Sequence, residues 1–110
     1  MIYNTETKRI KSFKDDIKSD LDIMNYISYF NIFETYHRDD TRRILLMFKN
    51  NKKNKDLEFK DRRLITYNLD FFLREKLDDE INQYIQFEID DYMNIFIYLN
   101  ENERVSYTNE

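Results

Sequence analysis

The residues with the clearest chemical potential are few. His37 is the sole histidine, with Glu34, Asp39 and Asp40 close by in sequence. One imidazole and carboxylates at irregular loop spacing fall short of the ligand sets that hold zinc or copper, so the segment reads as a polar loop. Glu58-Phe59-Lys60 has the acid–apolar–lysine order found on strands of metal-dependent nucleases, where the carboxylate holds Mg²⁺ and the lysine polarises the attacking water. Such a site also needs an aspartate on the preceding strand or its turn, and Asp39, Asp40 or Asp56 would have to serve. The plainer expectation is an alternating edge strand with Phe59 inward. Asp78-Asp79-Glu80 and Asp90-Asp91 are adjacent carboxylates, which cannot face one another across a cleft as glycosidase chemistry requires. No catalytic, metal or cofactor site is expected from these residues.

Absences sharpen that reading. With no cysteine there is no disulfide, thiolate zinc site or cysteine nucleophile. With no glycine there is no phosphate-cradling loop and no nucleophile elbow. Glycine and proline are both missing, so turns that need positive φ fall to Asn or Asp. The N-terminal residues show no signal-peptide h-region, and no apolar run approaches the roughly 20 residues that cross a bilayer. A cytoplasmic, reducing setting without membrane insertion is the expectation.

Charge is the most uneven property. Residues 1–41 carry six basic and eight acidic side chains, 42–69 nine and three, and 70–110 three and eleven. The basic third suggests phosphate contact through Arg42, Arg43, Lys52, Lys53, Lys55, Arg62 and Arg63. The acidic third places Asp78, Asp79, Glu80, Asp90 and Asp91 among Tyr84 and Tyr92. Rows of carboxylates imitate nucleic-acid phosphates and fit basic surfaces, while tyrosine buries contact area at little entropic cost. The opposite charges of the two thirds also attract one another, within the fold or between copies.

These residues must be positioned by one domain, since 110 residues leave no room for two ordinary ones. Eighteen Phe and Tyr residues supply a core despite 36% charge. Ile10, Phe13, Ile17, Leu21, Met24, Ile27 and Phe30 step by three and four, which predicts a helix over 8–33 with a break near Asn25 or Asn31. Ile44 to Phe48 reads as a strand. Leu57, Phe59 and Leu64 to Tyr67 read as further strands, so that 42–63 forms a basic hairpin. Asn68 reads as the N-cap of a helix over 69–83. Ile85, Phe87 and Ile89 alternate with polar residues and precede the run Ile95 to Leu99, which predicts a hairpin, with Val105 to Tyr107 as a further strand. One long helix over 69–99 is the alternative. The expected fold is α+β, two helices packed on a small antiparallel sheet of hairpins. The expected core includes Ile17, Leu21, Met24, Leu45, Phe48, Phe72, Leu77 and Ile81.

In type, though not in any motif, the chain resembles the small, acidic, aromatic-rich accessory proteins of phages and mobile elements, anti-CRISPR inhibitors among them. The functional expectation is a non-enzymatic protein-interaction module that presents its acidic, Tyr-bearing face to a basic, nucleic-acid-handling partner. Nucleic-acid binding through the basic 42–63 hairpin is the alternative, and a metal-dependent nuclease a third.

Overall fold

The computed structural model describes residues 8–36, 42–80 and 85–99. Ile10, Phe13 and Ile17 share the buried face of α1 (Lys8–Ile17), while Lys11, Lys14, Asp15 and Lys18 face water. The helix stops because Asp20 starts another. Asp20 adopts an extended backbone (φ −101°, ψ 110°) and its carboxylate accepts from the Ile23 amide at 3.0 Å, capping α2 (Leu21–Ile27). The predicted helix over 8–33 is thus broken at Ser19–Asp20, and it ends at Ile27, two residues past Asn25, so that 28–33 is not helical. The break resets the helical phase: Ile23 and Ile27 turn inward, and Leu21 and Met24, expected in the core, are exposed. From Phe30 the chain is extended, as aromatic and β-branched residues favour, giving β1 (Phe30–Tyr36).

β1 pairs antiparallel with β2 (Arg42–Phe48), from Phe30 opposite Phe48 to Tyr36 opposite Arg42. A four-residue helix, α3 (Lys52–Lys55), follows, and then α4 (Phe59–Glu80). β3 (Ile85–Ile89) and β4 (Ile95–Leu99) form the expected hairpin, and β4 docks against β2. The sheet order is β1-β2-β4-β3, antiparallel throughout. The fold is α+β as predicted, with four helices among the described residues rather than two.

The strands predicted over 57–67 are absent, and 42–63 is not a hairpin: β2 pairs with β1 and β4, and residues 59–67 are helical. Two forces decide this. At the start of α4, the Asp61 carboxylate accepts from the Glu58 amide at 3.0 Å, which satisfies one of the free donors at the helix entry. Farther along, Ile65, Leu69, Leu73 and Leu77 recur every four residues and are all buried. Burying that row outweighs the strand preference of Ile65-Thr66. Asn68 is therefore interior to α4 rather than its cap, and its amide donates to Tyr26 Oη at 3.3 Å. Phe59, expected inward, is exposed.

Strand alternation gives the sheet two faces. Ile44, Leu46, Ile95 and Ile97 point to the helices and, with Phe13, Ile17, Ile23, Ile27, Phe30 and the α4 row, form one core. Ile17 and Leu77 lie there as expected, whereas Leu45, Phe48 and Phe72 are half-buried. Ile81 and Val105 to Tyr107 lie outside the described residues. No helix among the described residues is long and apolar enough to cross a membrane.

Candidate functional site

The turn between β3 and β4 is fixed by five hydrogen bonds. Met93 N donates to Asp90 O and Asp90 N donates to Asn94 O, both at 3.1 Å. The Asp90 carboxylate accepts from the amides of Tyr92 and Asn94 at 2.9 Å each, and from the Asn94 side chain at 3.0 Å. This is a three-residue hairpin loop whose last residue must be left-handed, a place usually taken by glycine. The chain has none, and Met93 fills it at φ 68°. Its side chain is buried, and Thr66 Oγ1, from the middle of α4, donates to its carbonyl at 2.9 Å. Asp90 is thus consumed by the turn, while Asp91 and Tyr92 are held out on a fixed frame. Tyr92 is 79% exposed, the highest value among the exposed large apolar side chains. Thr66→Val, which removes the buried donor, is expected to destabilise the fold by about 1 kcal/mol, read as a shift in the urea midpoint at unchanged slope.

The predicted acidic set is not brought to one place. Asp78, Asp79 and Glu80 occupy the last turn of α4. The 90–94 turn is anchored at Thr66. Asp78 lies twelve residue steps along the helix from Thr66, about 18 Å at the α-helical rise. Tyr84 lies outside the described residues. The predicted basic set is divided too. Arg42 and Arg43 begin β2, and Lys52 lies beyond its other end, about 20 Å away along the strand.

What the structure does assemble is a basic corner. Arg62 Nη2 donates to the Asn54 carbonyl at 2.9 Å and its guanidinium lies 4.9 Å from the Phe48 ring centroid. Lys53 Nζ donates to Ser28 Oγ at 2.8 Å and sits 3.9 Å from the Tyr29 ring centroid. Lys52 and Lys55 are exposed on α3 beside Lys53, while Arg63 is exposed on α4 with its guanidinium 5.9 Å from the Tyr67 ring centroid. The corner exists because α3 folds back on the start of α4, a contact that a hairpin reading does not anticipate.

Glu58 and Lys60 do not share a strand. They flank the start of α4 as a surface ion pair at 3.9 Å. Among the described residues no group of three potential ligands could hold a metal ion, and His37 lies outside them. On the sheet face turned away from the core, Arg43 donates to Thr35 Oγ1 at 2.9 Å and to Tyr98 Oη at 3.2 Å, and lies 4.5 Å from the Phe96 ring centroid. Tyr98 Oη in turn donates to Glu88 at 2.9 Å. Partial burial, then the bond to Glu88, raises the Tyr98 phenol above its ordinary value near 10, although Arg43 opposes the shift. A phenol raised on folding contributes stability that is whole below about pH 10 and is lost as pH climbs past it. The stability gap between wild type and Tyr98→Phe is therefore expected to be flat up to about pH 10 and to shrink above it.

One surface was missed in the sequence. Leu64, Tyr67 and Phe71 form a line on the outward side of α4, 62%, 49% and 55% exposed, directly opposite the buried row. Their own three-and-four spacing was the available signal, masked by the strand reading of 64–67. No protein-family model, curated protein or solved structure matches this chain.

Proposed function

We propose that the chain is a non-enzymatic interaction module that presents the β3–β4 turn to a basic surface on a protein partner. The observation that carries this is Tyr92: a large, amphipathic ring left 79% exposed beside Asp91 on a loop with five hydrogen bonds holding its backbone and side chains. A side chain held out on a rigid frame loses little entropy on binding, the condition for an anchor residue. Strain at Met93 fits the same role, since an unfavourable backbone is retained where the surrounding structure fixes a functional loop. Asp91, with the net negative charge of residues 70–110, steers the turn toward positive potential. A partner that handles nucleic acid supplies such a surface, and occupying it would make the chain an inhibitor of the accessory-protein type.

The two residues have separable effects. Asp91→Asn is expected to lower the association rate and flatten its salt dependence. Tyr92→Ala is expected to raise the dissociation rate about 30-fold, equivalent to about 2 kcal/mol. Both variants should keep the wild-type urea midpoint, because neither side chain is buried. Surface plasmon resonance against the captured partner checks both. Unchanged kinetics in both variants would overturn the assignment of this turn.

A second reading, nucleic-acid contact, draws on the basic corner, where Lys52 and Lys55 are exposed on α3, with Arg63 exposed on the neighbouring first turns of α4. Lys52→Glu with Lys55→Glu and Arg63→Glu would then abolish gel retardation of a single- or double-stranded probe at low salt. Absence of retardation by the wild type would remove this reading and leave the first intact.

A further inference from the structure

We propose that two copies of the chain pair through α4, antiparallel, across the Leu64–Tyr67–Phe71 line. The inference is independent of the β3–β4 turn. Three large side chains in register on a helix face, each about half exposed or more, form a continuous apolar strip of the kind that marks a contact surface. A 22-residue helix is about 33 Å long. Leu64, Tyr67 and Phe71 from each copy, with the stems of Lys60 and Arg63, bury area on the order of the 1,000 Å² that a specific interface needs.

The order of charge along α4 identifies the occupant. Its outward side is basic toward the N-terminus, with Lys60 and Arg63 exposed, and acidic toward the C-terminus, with Glu75 exposed. A parallel copy would set like charge against like. An antiparallel copy sets each end against its opposite. Lys60 lies four residues before Leu64, and Glu75 four residues after Phe71. The register that places Leu64 against Phe71 of the second copy therefore also places Lys60 against its Glu75. Tyr67, three residues past Leu64, then meets Asn68, three before Phe71, at the two-fold axis. One shift satisfies the apolar and the charged positions together, which is the self-complementarity an isologous interface requires. Lys60 has only a long surface pairing with Glu58 to give up. Arg74, on the flank of the line, is already held by Asp70 at 2.8 Å and does not enter the match.

Sedimentation velocity on the full chain tests this. The wild type is expected to sediment as a dimer at about 100 µM and to dissociate on dilution to about 1 µM. Leu64→Lys and Phe71→Glu should each weaken association at least about 30-fold, and far-ultraviolet circular dichroism should show both folded, since both positions face outward. Mixing the two variants in equal amounts should restore a dimer. In the mixed pair Lys at 64 meets Glu at 71 on one side of the axis, and Phe71 meets Leu64 on the other. A wild type that stays monomeric at about 500 µM would overturn the proposal. So would single variants that remain dimeric, or folded variants whose mixture stays monomeric.

Discussion

Asn54→Ala is expected to lower the unfolding free energy by about 3 kcal/mol, although Asn54 lies in a short, lysine-rich surface helix where substitutions are ordinarily tolerated. Asn54 is 1% exposed. Its side-chain amide donates to the carbonyls of Tyr29 at 2.9 Å and Lys49 at 2.8 Å. Its backbone amide is capped by Asn51 at 3.0 Å, and its carbonyl receives Arg62 at 2.9 Å. One residue thus joins the α2–β1 junction, the end of β2 and the first turns of α4. Truncation removes two hydrogen bonds worth about 1 kcal/mol each; Tyr29 O keeps the Lys49 amide at 2.9 Å, but the part-buried Lys49 carbonyl is left short of a donor, at a further cost of about 1 kcal/mol. Asn54→Asp, nearly isosteric, should be at least as damaging, because a carboxylate oxygen would face those two carbonyls in place of a donor. Lys52→Ala, two residues away and exposed, should change stability by no more than about 0.5 kcal/mol. Urea midpoints of the three variants check the ranking. An Asn54→Ala midpoint equal to that of Lys52→Ala would contradict the anchoring role.

Met93→Val is expected to cost a similar amount, about 3 kcal/mol, for a different reason. Met93 combines a left-handed backbone with a buried side chain. Valine loses buried volume, worth about 1 kcal/mol, and adds a β-branch where φ is positive, worth about 2 kcal/mol. Met93→Gly separates the terms. Glycine relieves the backbone by about 1 kcal/mol yet empties the side-chain site at about 2–3 kcal/mol, a net loss of about 1–2 kcal/mol. The expected order of stability is wild type, then Met93→Gly, then Met93→Val. A glycine variant more stable than wild type would show that the Met93 side chain contributes little packing. A valine variant equal to wild type would show that the left-handed backbone is not required.

How far the sequence could be read depended on whether one period dominated each segment. Over 85–99 it did: Ile85, Phe87 and Ile89 alternate with Gln86 and Glu88, and the hairpin formed as expected. Ile44 to Phe48, a short apolar run ended by polar residues, also gave its strand. Over 57–67 two periods overlapped. Ile65 belongs to the inward row of α4, while Leu64 and Tyr67 belong to the outward line, so together they read as one continuous apolar stretch. An apolar run of this length does not by itself separate strand from buried helix. The outward line that hid the helix is also the surface on which self-pairing is proposed, in keeping with local rules failing where a surface is reserved for contact. In the first third, the step from Ile17 to Leu21 kept a helical rhythm straight through a helix break, because the capping role of Asp20 has no apolar signature. Of the residues singled out for partner binding, Asp90 lies in the β3–β4 turn, where its carboxylate serves the loop and leaves Asp91 and Tyr92 to face outward.

The most direct measurement of the binding role is quantitative mass spectrometry of proteins retained from a host lysate by three immobilised forms: wild type, Tyr92→Ala, and Lys52→Ala with Lys55→Ala. All three should first show equal urea midpoints. The expected result is a protein of basic isoelectric point that is enriched by the wild type and by the lysine variant, is lost with Tyr92→Ala, and elutes from the wild type as salt is raised. Retention of the same proteins by the wild type and by Tyr92→Ala would contradict the assignment of the β3–β4 turn as the contact surface.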